Sequence, residues 1–325
     1  MAGLWYVSFH GGDDRYEWNN IHRFSLSGEH LGGALDRESL SAGLKLRELR
    51  GFRFGPDGDL YVANAYKDRS QILRFHGQPD AAGTHAFRDI FAEGHARNPG
   101  LAHPFDVEFG ADGNLFVPSQ DTSLVGRYYG PSATGGKPGT AMPYPIALRD
   151  FPEDTFNPGT FVPSARHVPT GLQDVRHAII GPEGNLFVAD RAANRIKRYD
   201  AATGELIREY DAKHLVTPIH LLWLAGDRRL LIGSRDRHAV LTMDPESGKT
   251  TELIPPKSGG LESPAGLALG PDGMLYVASR DGKQILRYEA RTGRPEKRPF
   301  IDELPDRPEF LTFVHPVRST SRQGH

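Results

Sequence analysis

One phrase is written repeatedly along this chain. It reads Gly55-Pro56-Asp57-Gly58-Asp59-Leu60-Tyr61-Val62-Ala63-Asn64, and close variants stand at 110–117, 181–190 and 270–279. Self-similarity at a period of about 45 residues marks a repeat architecture and constrains the fold before any single residue is weighed. The fullest unit starts at Pro264: a short apolar strand, a Gly-Pro-Asp-Gly turn at 270–273, a second strand at 274–279 and a polar loop at 280–283. A third strand at 284–288, a turn at 290–293 and a last strand near Phe300 and Ile301 complete it. Pro presets φ for a turn position, while Asp and Gly accommodate the reversal, so each unit reads as a four-stranded antiparallel meander.

Third strands recur at 21–24, 72–75, 125–128, 196–199, 240–243 and 285–288, which implies six blades. First strands begin near Arg50, Pro104, Val175, Pro218 and Pro264, and the sixth appears only at Pro308. Trp5 to Phe9 has the converse defect, a second strand with no first strand before it. The two ends therefore complete one blade, about 3–35 with 308–318, and close the ring by pairing free strand edges. The expected fold is all-β: a single-domain six-bladed β-propeller over residues 1–325, with an insertion at about 130–171 and a disordered tail at 319–325. The arginines at 23, 74, 127, 198 and 287 recur inside third strands and are expected to pack blade against blade.

Composition narrows the partners. A net charge of −2 gives no whole-molecule reason to bind nucleic acid or an anionic membrane. The absence of cysteine excludes disulfides, thiolate metal sites and cysteine nucleophiles. No apolar run approaches a membrane-spanning length, and a cytoplasmic protein acting on a small molecule is the expectation, with no organic cofactor indicated.

The run Pro-x-Gly-Leu-Ala-Leu-Gly-Pro-Asp-Gly-x-Leu-Tyr-Val-Ala, followed by Asn194-Arg195-Ile196 or Lys283-Gln284-Ile285, resembles the NHL-repeat propellers and the related streptogramin (virginiamycin B) lyase-like group. The resemblance covers nearly the whole chain and implies architecture. Activity is left open, since such scaffolds host lyases, lactonases and interaction modules alike. In such a blade, the loop opening the first strand and the loop between second and third strands share one face, around the channel mouth. Candidate residues are taken from those loops.

Asp106, His177 and His220 occupy the third position of a blade opening where the repeat otherwise prefers Gly. Two imidazoles and a carboxylate converging on an axis form a candidate site for one divalent metal, zinc or iron. The alternative is structural: the Asp bonding loop amides and the histidines packing between blades. Arg191, Arg235 and Arg280 follow second strands directly, and Arg50 and Arg176 stand at blade openings. Such forks bind carboxylate or phosphate, or polarise a carbonyl; pairing with Asp190, Asp236 and Asp281 is the competing account. Asn64, Tyr66 and Gln120 complete the loop candidates.

The Val188-Ala189-Asp190-Arg191 run looks like the matching segment of peptidyl-hydroxyglycine amidating lyase, which implies a catalytic role for Arg191. The histidines stand one position later than that pattern places them. Glu309 alone matches the acidic ligands of the gluconolactonase and regucalcin pattern. The leading reading is a lyase or hydrolase with its site at the channel mouth, His220 or His177 as general base, and Arg191 and Arg235 stabilising an anionic or carbonyl-containing substrate. The alternative is a non-catalytic scaffold that binds a peptide or protein.

Overall fold

A computed structural model describes residues 3–11, 17–65, 69–211 and 214–315. Six antiparallel blades form a ring. Blade 1 holds β4 (Leu49–Phe54), β5 (Leu60–Asn64), β6 (Gln71–Phe75) and β7 (Phe87–Glu93). Blade 2 holds β8 (Glu108–Phe109), β9 (Leu115–Ser119), β10 (Leu124–Tyr128) and β11 (Thr160–Val162), and blade 3 holds β12 (Val175–Ile180), β13 (Leu186–Asp190), β14 (Arg195–Tyr199) and β15 (Leu206–Asp211). Blade 4 comprises β16 (Pro218–Leu224), β17 (Arg229–Ser234), β18 (Ala239–Met243) and β19 (Thr250–Ile254), and blade 5 comprises β20 (Pro264–Leu269), β21 (Met274–Ser279) and β22 (Gln284–Glu289). The closing blade joins β23 (Pro308–Val314) to β1 (Leu4–Phe9), β2 (Ile21–Phe24) and β3 (His30–Gly33). Trp5 faces Phe313 and Val7 faces Leu311 across that seam, as expected from the incomplete ends. The fourth strand of blade 5 narrows to the bridges Tyr288–Pro295 and Ile285–Ile301.

The repeated phrase is explained by its two glycines. The second, as at Gly273 (φ +75°), turns left-handed in open space, so it serves backbone conformation alone. The first lies under the aromatic ring of the following strand: a side chain on Gly270 would stand 2.3 Å from the Tyr276 ring, and one on Gly55 2.5 Å from Tyr61. Each tyrosine then donates its hydroxyl to the turn aspartate, Tyr276 to Asp272 and Tyr61 to Asp57, both at 3.0 Å. The recurring arginines mostly clamp their own blade. Arg74 lies over Tyr61 and Phe91 and stands 3.5 Å from Asp57, and Arg127 lies over Phe116 and Phe161. Arg23 does cross, to the carbonyl of Ala82 in blade 1, and Arg198 reaches Glu246 of blade 4.

Apolar side chains fill the spaces between blades, one cluster to each of the six interfaces. Strands such as β5 and β13 are consequently buried on both faces and free of polar alternation, with a polar residue only at the last position, Asn64 and Asp190. The 130–171 segment supplies the outer strand β11 of blade 2 and otherwise packs its own small cluster of Leu148, Phe156 and Val168, with Ala147 donating to the Thr203 carbonyl of blade 3. It lines no part of the central channel cavity. No helix among the described residues is long and apolar enough to cross a membrane.

Innermost strands share one register. The last residue of each second strand pairs with the residue ahead of the channel: Leu49 with Asn64, Pro104 with Ser119, Val175 with Asp190, Pro218 with Ser234, Pro264 with Ser279. Residues beyond that point stack in rings down the axis. The first ring is Arg50, Phe105, Arg176, Ile219, Ala265 and Glu309; the second is Gly51, Asp106, His177, His220, Gly266 and Phe310. Ladder register shifts at these two levels in blades 1, 3, 4 and 5. Such bulges bend a strand and re-aim its side chains.

Candidate active site in the central channel

The central cavity has a volume of about 700 Å³, within the range of small-molecule sites. Its position corrects the choice of channel end. No first-ring residue lines it, whereas Gly58, Gly270 and Pro271 of the Gly-Pro-Asp-Gly turns do, so the cavity opens towards the turn face. Phe52, Leu221, Leu267 and Leu311 form its apolar middle, and Phe54, Trp223 and Phe313 stand near its mouth.

Its floor is the second ring, where the sequence-selected Asp106, His177 and His220 do meet. His177 Nε2 lies 3.0 Å from Asp106 Oδ2 with both side chains 2% exposed, and the two imidazoles stand 4.1 Å apart between centroids, tilted by 34°. Phe310 packs 5.1 Å from the His220 ring and 5.5 Å from His177. The backbone N–H of Leu221 donates to His177 Nδ1 at 3.3 Å. An acceptor at Nδ1 leaves the ring proton on Nε2, close to Asp106 Oδ2, which makes no hydrogen bond among the described residues. His220 Nδ1 has no hydrogen-bond partner among the described residues. Gly51 makes the approach feasible, since a side chain there would stand 2.0 Å from Asp106 Oδ1 and 2.8 Å from its Cα.

Two cavity-lining charges escaped the sequence reading. Arg53 and Glu108 line the cavity from inside their strands two positions below the second ring, where Ile179, Leu222, Ala268 and Thr312 stand in other blades. A charge in a register otherwise uncharged was the available signal. Arg53 Nη2 lies 2.7 Å from Glu108 Oε2, and its Nε donates to the Val107 carbonyl at 3.0 Å. Glu108 Oε1 accepts the Ile180 amide at 2.9 Å. Higher on the wall, Tyr6 Oη and His85 Nε2 are 3.0 Å apart.

Burial sets the protonation of this floor. It pushes the Asp106 carboxyl up to about 6 against the pull of Arg53, the Val107 amide and His220. It pushes Glu108 up to about 7, again opposed by Arg53. Both imidazoles fall well below the ordinary range, His177 by burial and Arg53, His220 by burial and the neighbouring His177. Near neutrality the cavity therefore holds two neutral imidazoles, an ionised Asp106 and a Glu108 close to its midpoint. Among the described residues no group of three His, Asp or Glu side chains stands in metal-ligand arrangement; the two rings face each other.

The remaining candidates are drawn to the opposite face and into structural pairs. Arg191 binds Asp174, Arg280 reaches Glu309 at 2.8 Å and Asp281 at 3.0 Å, and Arg50 reaches Glu48 at 3.0 Å. Arg235 stands 3.7 Å from Asp236. Burial raises the Glu309 carboxyl, yet Arg50, His10 and Arg280 more than offset this and hold it well below the carboxylate range. Asn64 is consumed in tying its own blade opening, accepting from the Arg47 amide and donating to the Lys45 carbonyl. Gln120 sits in the 2–3 loop of blade 2, its amide bonded to the His103 carbonyl. Tyr66 and the tail at 319–325 lie outside the described residues.

The chain is thus a six-bladed β-propeller with an acid–base floor in its channel. No protein-family model and no curated protein sequence matches it. Solved propellers do align along it. A nidogen/laminin complex structure aligns at TM-score 0.61 and 14% identity, covering 97% of this chain and 98% of that one. The periplasmic gluconolactonase of Pseudomonas aeruginosa gives 0.58 and 18%, covering 97% and 99%. A streptogramin B lyase gives 0.53 and 16%, covering 82% and 76%. At these identities the likeness is one of fold, and it bears out the streptogramin-lyase-like architecture expected from the repeats.

Proposed function

We propose that the protein is a small-molecule enzyme of the lyase or hydrolase type, and that its chemistry takes place on the second-ring floor of the central cavity. The observation that supports this most is the enclosure of Asp106, His177, His220, Arg53 and Glu108 in one apolar-walled space of ligand size. Buried titratable groups with shifted protonation, gathered in a cleft, are what acid–base catalysis requires. His220, whose neutral ring lines the cavity, is the general base; His177 lies against Asp106 and is neutral as well. Arg53 faces the cavity with a guanidinium suited to a substrate carbonyl or carboxylate oxygen, and Glu108, near its midpoint at neutral pH, can return a proton to the leaving atom. Fold-level likeness to a lyase and a gluconolactonase is compatible with either proton abstraction before elimination or activation of water.

The test is turnover of a panel of lactones, esters and β-eliminable carbonyl compounds, read by mass spectrometry. Folded His220→Ala is expected to lose roughly a hundredfold or more in rate, while Arg208→Ala, on the outer surface, keeps it. Turnover surviving in His220→Ala would remove the base from this site. A zinc or iron ion on Asp106, His177 and His220 would require the two rings to turn from their present tilted contact. Near-stoichiometric metal in protein purified without chelator, lost in His177→Ala, would replace the proposed base with a metal-centred route.

A further inference from the structure

Polar and apolar surface are unevenly distributed along the cavity. Among the described residues, the Asp, Glu, Lys and Arg side chains that line it are Arg53, Asp106 and Glu108 alone. Of the three, Arg53 is the one open to the cavity: its side chain is 42% exposed, against 9% for Glu108 and 2% for Asp106. Burial works against its charge, but Glu108 and Asp106 more than offset this and keep the guanidinium protonated. Its Nη2 meets Glu108 and its Nε the Val107 carbonyl, which leaves the Nη1 edge for an oxygen of a ligand. Higher up, the polar groups serve each other. His85 Nδ1 donates to the His76 carbonyl at 2.7 Å, so its Nε2 is an acceptor and takes the Tyr6 hydroxyl proton. Gln78, Thr312 and His315 are the other polar side chains of the wall. The remainder is apolar out to the mouth, where Phe54, Trp223 and Phe313 are half-buried and Leu269 is 41% exposed. Such a lining gains by covering an apolar ligand and leaves the hydroxyls of a polar one short of partners.

The charge of the floor is already balanced. Asp106, ionised near neutrality, matches Arg53, and Glu108 near its midpoint tips the sum towards negative. A ligand carboxylate would add a further negative charge in a space of low dielectric, whereas an uncharged carbonyl oxygen accepts from Arg53 without that cost. We infer that the substrate class of this site is an uncharged, largely apolar carbonyl compound, a lipophilic lactone, ester or ketone, with its carbonyl oxygen on Arg53 and its body among Phe52, Phe54, Leu221 and Trp223; this rests on the cavity being the site of the proposed chemistry. Sugar lactones and organic acids are disfavoured, the first by their unmet hydroxyls and the second by their charge.

The experiment is calorimetric titration of the whole chain with three probes of similar shape: para-phenylacetophenone, para-phenylbenzoate and biphenyl. The ketone is expected to bind saturably, and the carboxylate and the hydrocarbon each roughly tenfold or more weakly. A double variant, Arg53→Met with Glu108→Gln, removes both members of the ion pair and strands neither as a lone buried charge; in it the ketone should bind no better than biphenyl. Thr312→Trp, which narrows the same cavity, should abolish binding of all three probes. No binding of the ketone, a carboxylate bound as tightly as the ketone, ketone affinity unchanged in the double variant, or binding that survives in Thr312→Trp would each overturn the inference. The ketone carries no ester and no leaving group, so its binding reads the ligand class apart from catalysis. Ketone binding as expected beside a substrate panel with no turnover would keep the class and remove the lyase or hydrolase reading, whereas turnover of sugar lactones or charged compounds with no ketone binding would keep the enzyme and remove the class.

Discussion

A carboxyl group buried beside two imidazoles costs stability whenever it must be charged, and Asp106 is such a group. Its pKa rises from 3.8 in the unfolded chain to about 6 in the fold. An acid shifted upward contributes its full stability below the unfolded value and loses it as pH rises through the folded one, because over that window the native state holds the extra proton. Two pKa units correspond to roughly 3 kcal/mol at most. Asp106→Asn keeps the acceptor for His177 and has no charge to bury. It should match wild type in a melt at pH 4 and exceed it at pH 8; a variant less stable than wild type at pH 8 would show that the ionised carboxylate is a net asset. The imidazoles have the opposite sign. Their folded pKa values lie below 6.5, so they destabilise as pH falls through 6.5, where the unfolded chain takes up protons that the fold refuses. His220→Gln should therefore stabilise the protein at pH 5 and change little at pH 8, a comparison that separates the base from its carboxylate neighbour.

Within a blade, the turn phrase makes a prediction that separates its two glycines. Gly273→Ala meets no neighbour and pays only for a left-handed conformation, about 1 kcal/mol, and Gly273→Asn should pay less, since Asn tolerates that region. Gly270→Ala and Gly270→Asn should both be worse, about 1–3 kcal/mol, because either side chain strikes the Tyr276 ring. Denaturant melts of the four variants decide it, and equal losses at both positions would refute the division of labour. These turns were legible in the sequence because glycine, proline and aspartate report backbone geometry locally. The outer strand of blade 5 was less so: Pro295 and Pro299 lack amide donors, and the expected strand near Phe300 survives only as bridges. Arg53 and Glu108 were missed for a related reason. Loops were the expected source of chemistry, whereas these two charges come from inside the innermost strands, one at the regular register just beyond the Leu49–Phe52 bulge.

At the scale of the ring, the second-ring residues were legible because a repeat exposes departures from its own consensus, but the end from which they are reached was not. Gly51 and Gly266 let neighbouring backbones approach closely at that level: a side chain on Gly51 would stand 2.8 Å from Asp106 Cα, and one on Gly266 2.8 Å from the Glu309 carbonyl oxygen. The channel has its waist there, with buried Arg50, Phe105, Arg176 and Glu309 filling the level above and the cavity lying below. Which side of a waist is plugged depends on side chains from all six blades at once, a non-local property that no single repeat encodes. Thr312 lines the cavity and is half-buried, with the cavity as the space before it. Thr312→Trp should fill that space, abolish one-to-one binding of a hydrophobic dye such as Nile red and block turnover, with a melting temperature within a few degrees of wild type. Dye binding and turnover that both survive in Thr312→Trp would move the small-molecule site off the axis altogether.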